Sequence, residues 1–348
     1  MDLLEKSFDT AFDAPNGVEK LRELVLTLGM RGKLVPQNPK DRSVDELLKT
    51  IKIEKQKLIE EGEIKKTKSL PQISLEEMPY LLPKGWRWTR VQDICHDWGQ
   101  KTPGRTFTYI DVGSIDSKNG VISEDIQLLE SSDAPSRARK LVRKGTVIYS
   151  TVRPYLLNIA IVEEEYEPEP IASTAFAILH PYHGVDNRFI FYYLRSAVFI
   201  RYVEAQMKGV AYPAINDGNF FRGLFPLPPT AEQCRIVAKI DQLMARCDEL
   251  ENLRESRDRL KIKVHMAACD RLLTAPDTDT FTQSWQFITQ HFSELYTVKE
   301  NVTELRKAIL QLAIMGKLVP QNPTEPPARE LVKEIEAAKQ RLTGHWQK

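Results

Sequence analysis

Three spacings in this sequence invite a catalytic reading, and each fails on its context. Glu63, Ile64 and Lys65 spell an ExK, the acid and amine of a metal-dependent nuclease, but they lie in a charged connector with no strand beside them. Cys95, His96 and Asp97 bring a thiol, an imidazole and a carboxylate together in sequence. Neighbours on a strand point to opposite faces, so these three do not form a nucleophile and its base. His180 and His183 make an HxxH on an expected strand-to-helix turn, where capping or surface placement is the plainer reading. There is no Gly-rich phosphate loop, no [DN]PP[YF] motif and no His/Cys cluster at zinc spacing.

What the chain does carry is hydrogen-bonding capacity on loops. "GQKTPGRTFTY" places Gln100, Lys101, Thr102 and Arg105 in a Gly/Pro loop between apparent strands. "YSTVRPYLLN" places Ser150, Arg153, Tyr155 and Asn158 just after a strand that Pro154 prevents from continuing as a central one. "KGVAYPAIN" adds Lys208, Tyr212 and Asn216. A basic run, "RARKLVRK", contains Arg139 and Lys140, and an acidic run, "EEEYEPE", follows at Glu163 to Glu169.

The elements that must position these loops differ along the chain. From about Leu82 to Pro228, short β-branched and aromatic runs ("RWTRVQDI", "FTYIDVGSI", "GTVIYSTV", "NIAIVEEEY", "STAFAILH") read as strands of one mixed, β-rich domain over 80–228. "NRFIFYYLRSAVFIRYVEAQM" is its one strong helix. After "PLPPTAEQ" the period changes. Ile236, Ile240, Leu243, Cys247 and Leu250 alternate spacings of four and three, and the series resumes at Leu253, Leu260 and Val264. That is a heptad seam with a phase shift, on a helix over 229–274. Such a helix is roughly 64 Å long at ~1.5 Å per residue, and its charged remaining faces forbid burial all round. A second long helix is expected to run to about Met315, carried by Leu305, Ile309 and Leu312.

The two ends repeat each other. "GKLVPQNP" stands at Gly32 to Pro39 and again at Gly316 to Pro323. Laying Leu21 on Leu305 aligns "LRELVLTLGMRGKLVPQNP" with "LRKAILQLAIMGKLVPQNP", and then "ELLKTIKIEKQKL" with "ELVKEIEAAKQRL". Upstream, Leu3, Leu4, Phe8, Phe12 and Val18 fall on Phe287, Ile288, Phe292, Tyr296 and Val302, apolar on apolar. An unchanged apolar pattern predicts the same buried face in both copies, a helical unit over 1–70 and another over 281–345 that pairs with 1–60. Pro36 and Pro320 end the first helix of each copy. The second helix starts near Val44 and near Ala328.

The 348 residues allow two or three domains, and 49 basic against 48 acidic side chains name no partner by bulk charge. Four cysteines without CxxC spacing fit reduced thiols in a cytoplasmic protein. No apolar run approaches the roughly 18 residues of a membrane span, and "MDLLEKSFD" lacks the features of a signal peptide.

This order of repeat, globular domain, long helix and repeat resembles the specificity (S) subunit of type I restriction-modification enzymes. The resemblance rests on "LPKGWRWTRVQDIC" at the domain's entrance, "LFPLPPTAEQCRIVAKID" at its exit and "GKLVPQNP" before it. It implies an α+β protein in which one target recognition domain is joined to long α-helices forming a coiled-coil-like spacer. Family members usually carry two such domains. With one, the chain is either the N-terminal part of a longer subunit or a half-subunit that pairs with itself.

The resemblance further implies a non-catalytic subunit that reads double-stranded DNA and docks methyltransferase (M) subunits and the restriction (R) subunit. It holds no cofactor of its own; S-adenosylmethionine, ATP and Mg²⁺ belong to the partner subunits. The helix seam (Ile236, Ile240, Leu243, Leu250, Leu260, Leu305, Ile309, Leu312) then serves a homodimer or the M subunits. Base edges need bidentate donors and amides on loops, and phosphates need cations and hydroxyls, which is the mixture on the three stretches above. Arg139 and Lys140 suit phosphates, and the acidic run is expected to face away. The bland alternatives are an ion pair for Arg153, a helix cap for Asn216 and an ordinary solvated face for the basic run.

Overall fold

The computed structural model describes residues 14, 16–124, 126–319, 322 and 324–344, with side chains to 342. The expectations for Leu3, Leu4, Phe8, Phe12, Pro320 and Pro323 lie outside the described residues. The chain divides into two compact units, Met1–Glu249 and Leu250–Lys348.

The first unit opens with helices α1 (Gly17–Met30) and α2 (Val44–Glu60). Ser43 caps α2 by accepting from the Glu46 amide. The β-rich domain follows with β1 (Arg87–Arg90), the single turn α3 (Val91–Ile94), β2 (Cys95–His96), β3 (Phe107–Ile110), β4 (Ile115–Asp116), β5 (Val121–Ile122) and β6 (Gln127–Leu129). Next come β7 (Ala138–Leu141), β8 (Val147–Ser150), β9 (Ile159–Ile161), β10 (Pro170–Ser173) and β11 (Phe176–Pro181). Helices α4 (Asn187–Leu194), α5 (Ala197–Gln206) and α6 (Asp217–Arg222) precede β12 (Leu224–Leu227).

Two four-stranded sheets result, ordered β6-β3-β10-β7 and β2-β11-β8-β9. All their pairings are antiparallel except β10 with β3. Ile148, Ala160, Ala172, Phe176 and Ile178 share one buried cluster. The entrance and exit stretches meet, because β1 pairs antiparallel with β12 from Arg87↔Leu227 to Arg90↔Leu224. The module is thereby closed where the chain enters and leaves it.

The expected single helix after Asn187 is two. Ser196 is extended (φ −76, ψ 148) and buried, and the Arg195 guanidinium donates to the Ser117 carbonyl, which fixes the break. Leaving β12, α7 (Thr230–Leu273) runs without interruption. Its first turns close the unit's main core, where Ile236, Val237 and Ile240 pack with Leu26, Met30, Val44, Leu47, Ile51 and Trp86. Gly29 allows this approach, since a Cβ there would stand 3.0 Å from Ile240 Cδ1. Arg235 holds Asp41 through both nitrogens, and Arg22 Nη2 lies 2.6 Å from Asp248 Oδ1.

The second unit holds the remainder of α7 with α8 (Thr278–Gln290), the turn α9 (Phe292–Leu295), α10 (Lys299–Ile314) and α11 (Ala328–Gly344). The expected continuous helix to Met315 is thus three pieces. Asn301 explains part of the break, for its side-chain amide donates to the Leu295 carbonyl at 2.7 Å and occupies an acceptor that a through-going helix would use. Leu305, Ala308 and Leu312 pack with Ala268, Cys269, Leu272 and Ile288.

The repeat keeps its residues but not its buried face. Leu26, Met30, Leu47 and Ile51 are buried, while their counterparts Leu310, Ile314, Leu331 and Ile335 are 65%, 89%, 59% and 56% exposed. The second copy instead buries Leu305 and Leu312, counterparts of Leu21 and Leu28. The heptad seam divides likewise: Ile236 and Ile240 are buried and Leu243 partly so, Leu250 and Leu260 are exposed, and Ile309 is half-buried.

Candidate nucleic-acid interface

Two of the three donor-rich loops are stitched into one platform. Strand β8 ends at Ser150, which is buried and donates its hydroxyl to the Val152 carbonyl, while its amide donates to the Asn158 carbonyl. Ser150 and Asn158 therefore shape the loop from below. Between them lies a 3-10 turn, Pro154–Leu156, flanked by Arg153 (φ 47, ψ 54) and Leu157 (φ 52, ψ 38). Both are non-glycine residues in the left-handed region, a conformation costing about 1–2 kcal/mol each and found where surrounding contacts impose it. Those contacts are present. Pro154 is buried and Leu157 packs on the main core.

The next loop closes on itself. The amides and carbonyls of Lys208 and Ala214 exchange bonds of 2.9 Å in both directions. Gly209 (φ +99) permits the turn, for a Cβ there would meet the Tyr212 carbonyl at 3.0 Å. The two loops then join edge to edge: the Arg153 amide donates to Pro213 at 2.8 Å and the Ile215 amide to Thr151 at 3.0 Å. Across the seam the Arg153 guanidinium lies 4.9 Å from the centroid of the Tyr212 ring. Arg137 lines the same hollow as Arg153 and Tyr212. Arg153, Tyr155, Lys208 and Tyr212 are all exposed on this platform.

The first loop is a separate feature. It runs along β7, with the Lys101 amide on the Arg139 carbonyl and Gln100 bridged to Lys140. Lys101 Nζ lies 2.7 Å from Glu169 Oε2, and Arg105 shares a hollow with Glu164, Glu165 and Glu167. The acidic run thus sits against this loop and offsets its charge. Thr102 and Arg105 remain exposed.

The basic run is not one solvated face, because β7 alternates. Lys140 is buried and its ammonium contacts the Phe176 carbonyl and Asp217 Oδ2, both at 2.6 Å. Arg139 is half-buried and donates to the Ala138 carbonyl. Inward pairing takes Lys140 out of reach of a phosphate. Asn216 caps α6 by accepting from the Asn219 amide at 2.8 Å, the structural role weighed for it above.

The catalytic look-alikes are occupied otherwise. Cys95 is buried, donates to the Val91 carbonyl and has its thiol pushed up by burial, which disfavours a thiolate. Glu63 lies 3.5 Å from Arg143. His180 Nδ1 is 2.9 Å from Thr146 Oγ1, and burial, with His96 and Arg143 nearby, lowers its pKa to about 4. His96, Trp98, His180 and Tyr182 form an aromatic cluster under the Arg143 guanidinium, which stands 3.8 Å from the Trp98 ring. Among the described residues no group of three or more His, Cys, Asp or Glu could hold a metal ion, and no helix is long and apolar enough to cross a membrane.

Residues 83–258, half of the chain, match the family model described as the type I restriction modification DNA specificity domain. The chain belongs to that family. The matched segment begins beside β1 and ends within α7, so it takes in both motifs that the β1–β12 pair brings together. The type I restriction enzyme EcoAI specificity subunit of Escherichia coli is 34% identical over 94% of this chain and 56% of its own length. The EcoEI specificity subunit of the same organism is 31% identical over the same shares. The chain therefore spans about half the length of the curated relatives it matches. Among solved structures, the HsdS subunit from Thermoanaerobacter tengcongensis aligns with a TM-score of 0.51 at 35% identity, over 59% of this chain and 53% of that one. A chain from a structure of type I restriction-modification assembly and conformational transition gives 0.52 at 36%, over 57% and 52%.

Arg137 opens the basic run read as suited to phosphates, but two platform residues were not singled out in the sequence: Leu156 and Val210. Their signal was an apolar doublet and an isolated valine inside otherwise polar, Gly/Pro-rich loops.

Proposed function

We propose that this chain is a DNA sequence-specificity subunit, reading one half of a bipartite target in double-stranded DNA and docking M subunits that carry out the chemistry. The platform of Arg153, Tyr155, Lys208 and Tyr212 carries the reading. It presents a guanidinium, an ammonium and phenols on a backbone held by cross-loop hydrogen bonds, so the donors are set before DNA arrives. Arg137 adds charge at the same hollow. Gln100, Thr102 and Arg105 form a second, weaker contact region.

Partner docking draws on the exposed apolar stripe of α7, where Leu250, Leu253, Leu260 and Val264 are open. An M-subunit helix or a second copy of this chain would cover it. In a self-paired form, the two-fold axis makes the target an interrupted palindrome. The R subunit joins through the M subunits; S-adenosylmethionine, ATP and Mg²⁺ are held by the partners, and the setting is the cytoplasm.

The test is expression of the full chain with its M subunits, followed by mapping of methylated bases and gel shifts on the mapped duplex. Methylation at one interrupted motif, lost with Arg153→Ala, is the expected result. No motif, and no salt-sensitive duplex binding by the complex, would overturn the reading.

A further inference from the structure

The platform carries an unexplained apolar tip. Tyr155 and Leu156 are 46% and 48% exposed at the top of the strained turn, and Val210 stands fully open on the adjoining loop. A turn that only had to connect β8 to β9 could use polar residues and avoid left-handed backbone at both ends. Here Arg153 and Leu157 are both held in that conformation, and of the three residues between them Pro154 is buried while Tyr155 and Leu156 are exposed. The tip is flanked by cations. Arg153 lies over Tyr212, and Arg137 lines the hollow beside them. An exposed apolar pair on the same platform as two guanidinium groups, Arg153 and Arg137, matches what a wedge between base pairs requires: the apolar group replaces lost stacking, while the cations hold phosphates.

We propose that Leu156, supported by Tyr155, enters a base step of the bound duplex and partly unstacks it, fixing the register in which the neighbouring donors read the bases. This rests on the DNA-reading function above and assigns it a mechanism. Recognition then depends on how readily the target step opens, as well as on base-edge contacts.

The experiment uses the full chain with its M subunits and duplexes of the mapped target carrying 2-aminopurine at successive positions. Binding is expected to raise fluorescence at one step. Leu156→Ala should abolish that rise and weaken binding about tenfold, as loss of a buried leucine contact does. The slope of log affinity against log salt should not change, because that slope counts neutralised phosphates. Arg137→Ala should do the converse, reducing the slope by about one while the fluorescent step persists. Unchanged melting of both exposed-site variants establishes that folding is intact. Salt-dependent binding with every step silent overturns the wedge alone. Normal DNA affinity for Leu156→Ala, with loss of M-subunit association, overturns it in favour of a protein contact. Absence of any duplex binding by the wild-type complex overturns the DNA reading and the wedge together.

Discussion

The Lys140 ammonium and the Asp217 carboxylate stand 2.6 Å apart, joining the middle of β7 to the start of α6. The pair is one-sided: the lysine side chain is 8% exposed and the aspartate 48%. Lys140→Met keeps the stem's packing but strands the Phe176 carbonyl, which accepts from the same ammonium. A lost buried hydrogen bond of this kind costs about 1–3 kcal/mol. Urea unfolding of the full chain should show that loss, and the salt dependence of DNA binding should stay at the wild-type slope. Lys208→Ala should give the opposite pattern, with stability within about 0.5 kcal/mol of wild type and a slope lower by about one.

The His180 imidazole makes the first unit acid-sensitive. Burial holds it neutral down to about pH 4, with His96 and Arg143 disfavouring the charge further, while an unfolded histidine protonates near 6.5. Between those values the unfolded chain binds the extra proton, so stability is full above about pH 6.5 and declines as the pH falls toward 4. His180→Asn keeps a polar atom near Thr146 and removes the titration. Melting temperatures measured from pH 7 to pH 4.5 should fall less steeply for the variant than for wild type, and parallel curves would refute the assignment.

Much of this was legible because local rules agreed with the fold. The proline in "VRPY" ended a strand where expected, and the Lys/Glu-rich faces and heptad spacing after Thr230 located α7 to within a residue or two. What escaped were features decided by distant partners. Lys140 reads as one more cation in a basic run; only strand alternation and the arrival of Asp217 turn it inward. Asn301 looks like an unremarkable helix residue until its amide reaches Leu295 and interrupts the helix. The meeting of the second and third loops depends on backbone bonds between residues some sixty positions apart in the sequence, such as Arg153 and Pro213, which no periodicity encodes.

The repeat shows the same limit most directly, and it supplies a controlled comparison within one molecule. Met30 and Ile314 occupy equivalent places, yet Met30 is 1% exposed and Ile314 is 89% exposed. Alanine at Met30 removes a core side chain and should cost about 2–5 kcal/mol, whereas alanine at Ile314 should stay within about 0.5 kcal/mol. The glycines sharpen the comparison. Gly32 and Gly316 both sit at positive φ, +62 and +66, so alanine at either meets a left-handed penalty of about 1–2 kcal/mol. At Gly32 a Cβ would also fall 2.5 Å from Pro83 Cγ and 3.0 Å from Trp86, inside the contact that seats the first copy on the β-rich domain. Gly32→Ala should therefore destabilise the first unit well beyond Gly316→Ala in hydrogen-exchange or urea unfolding. Equal losses at the two glycines would mean that the two copies, identical over GKLVPQNP, are also seated alike, contrary to the burial difference on which the comparison rests.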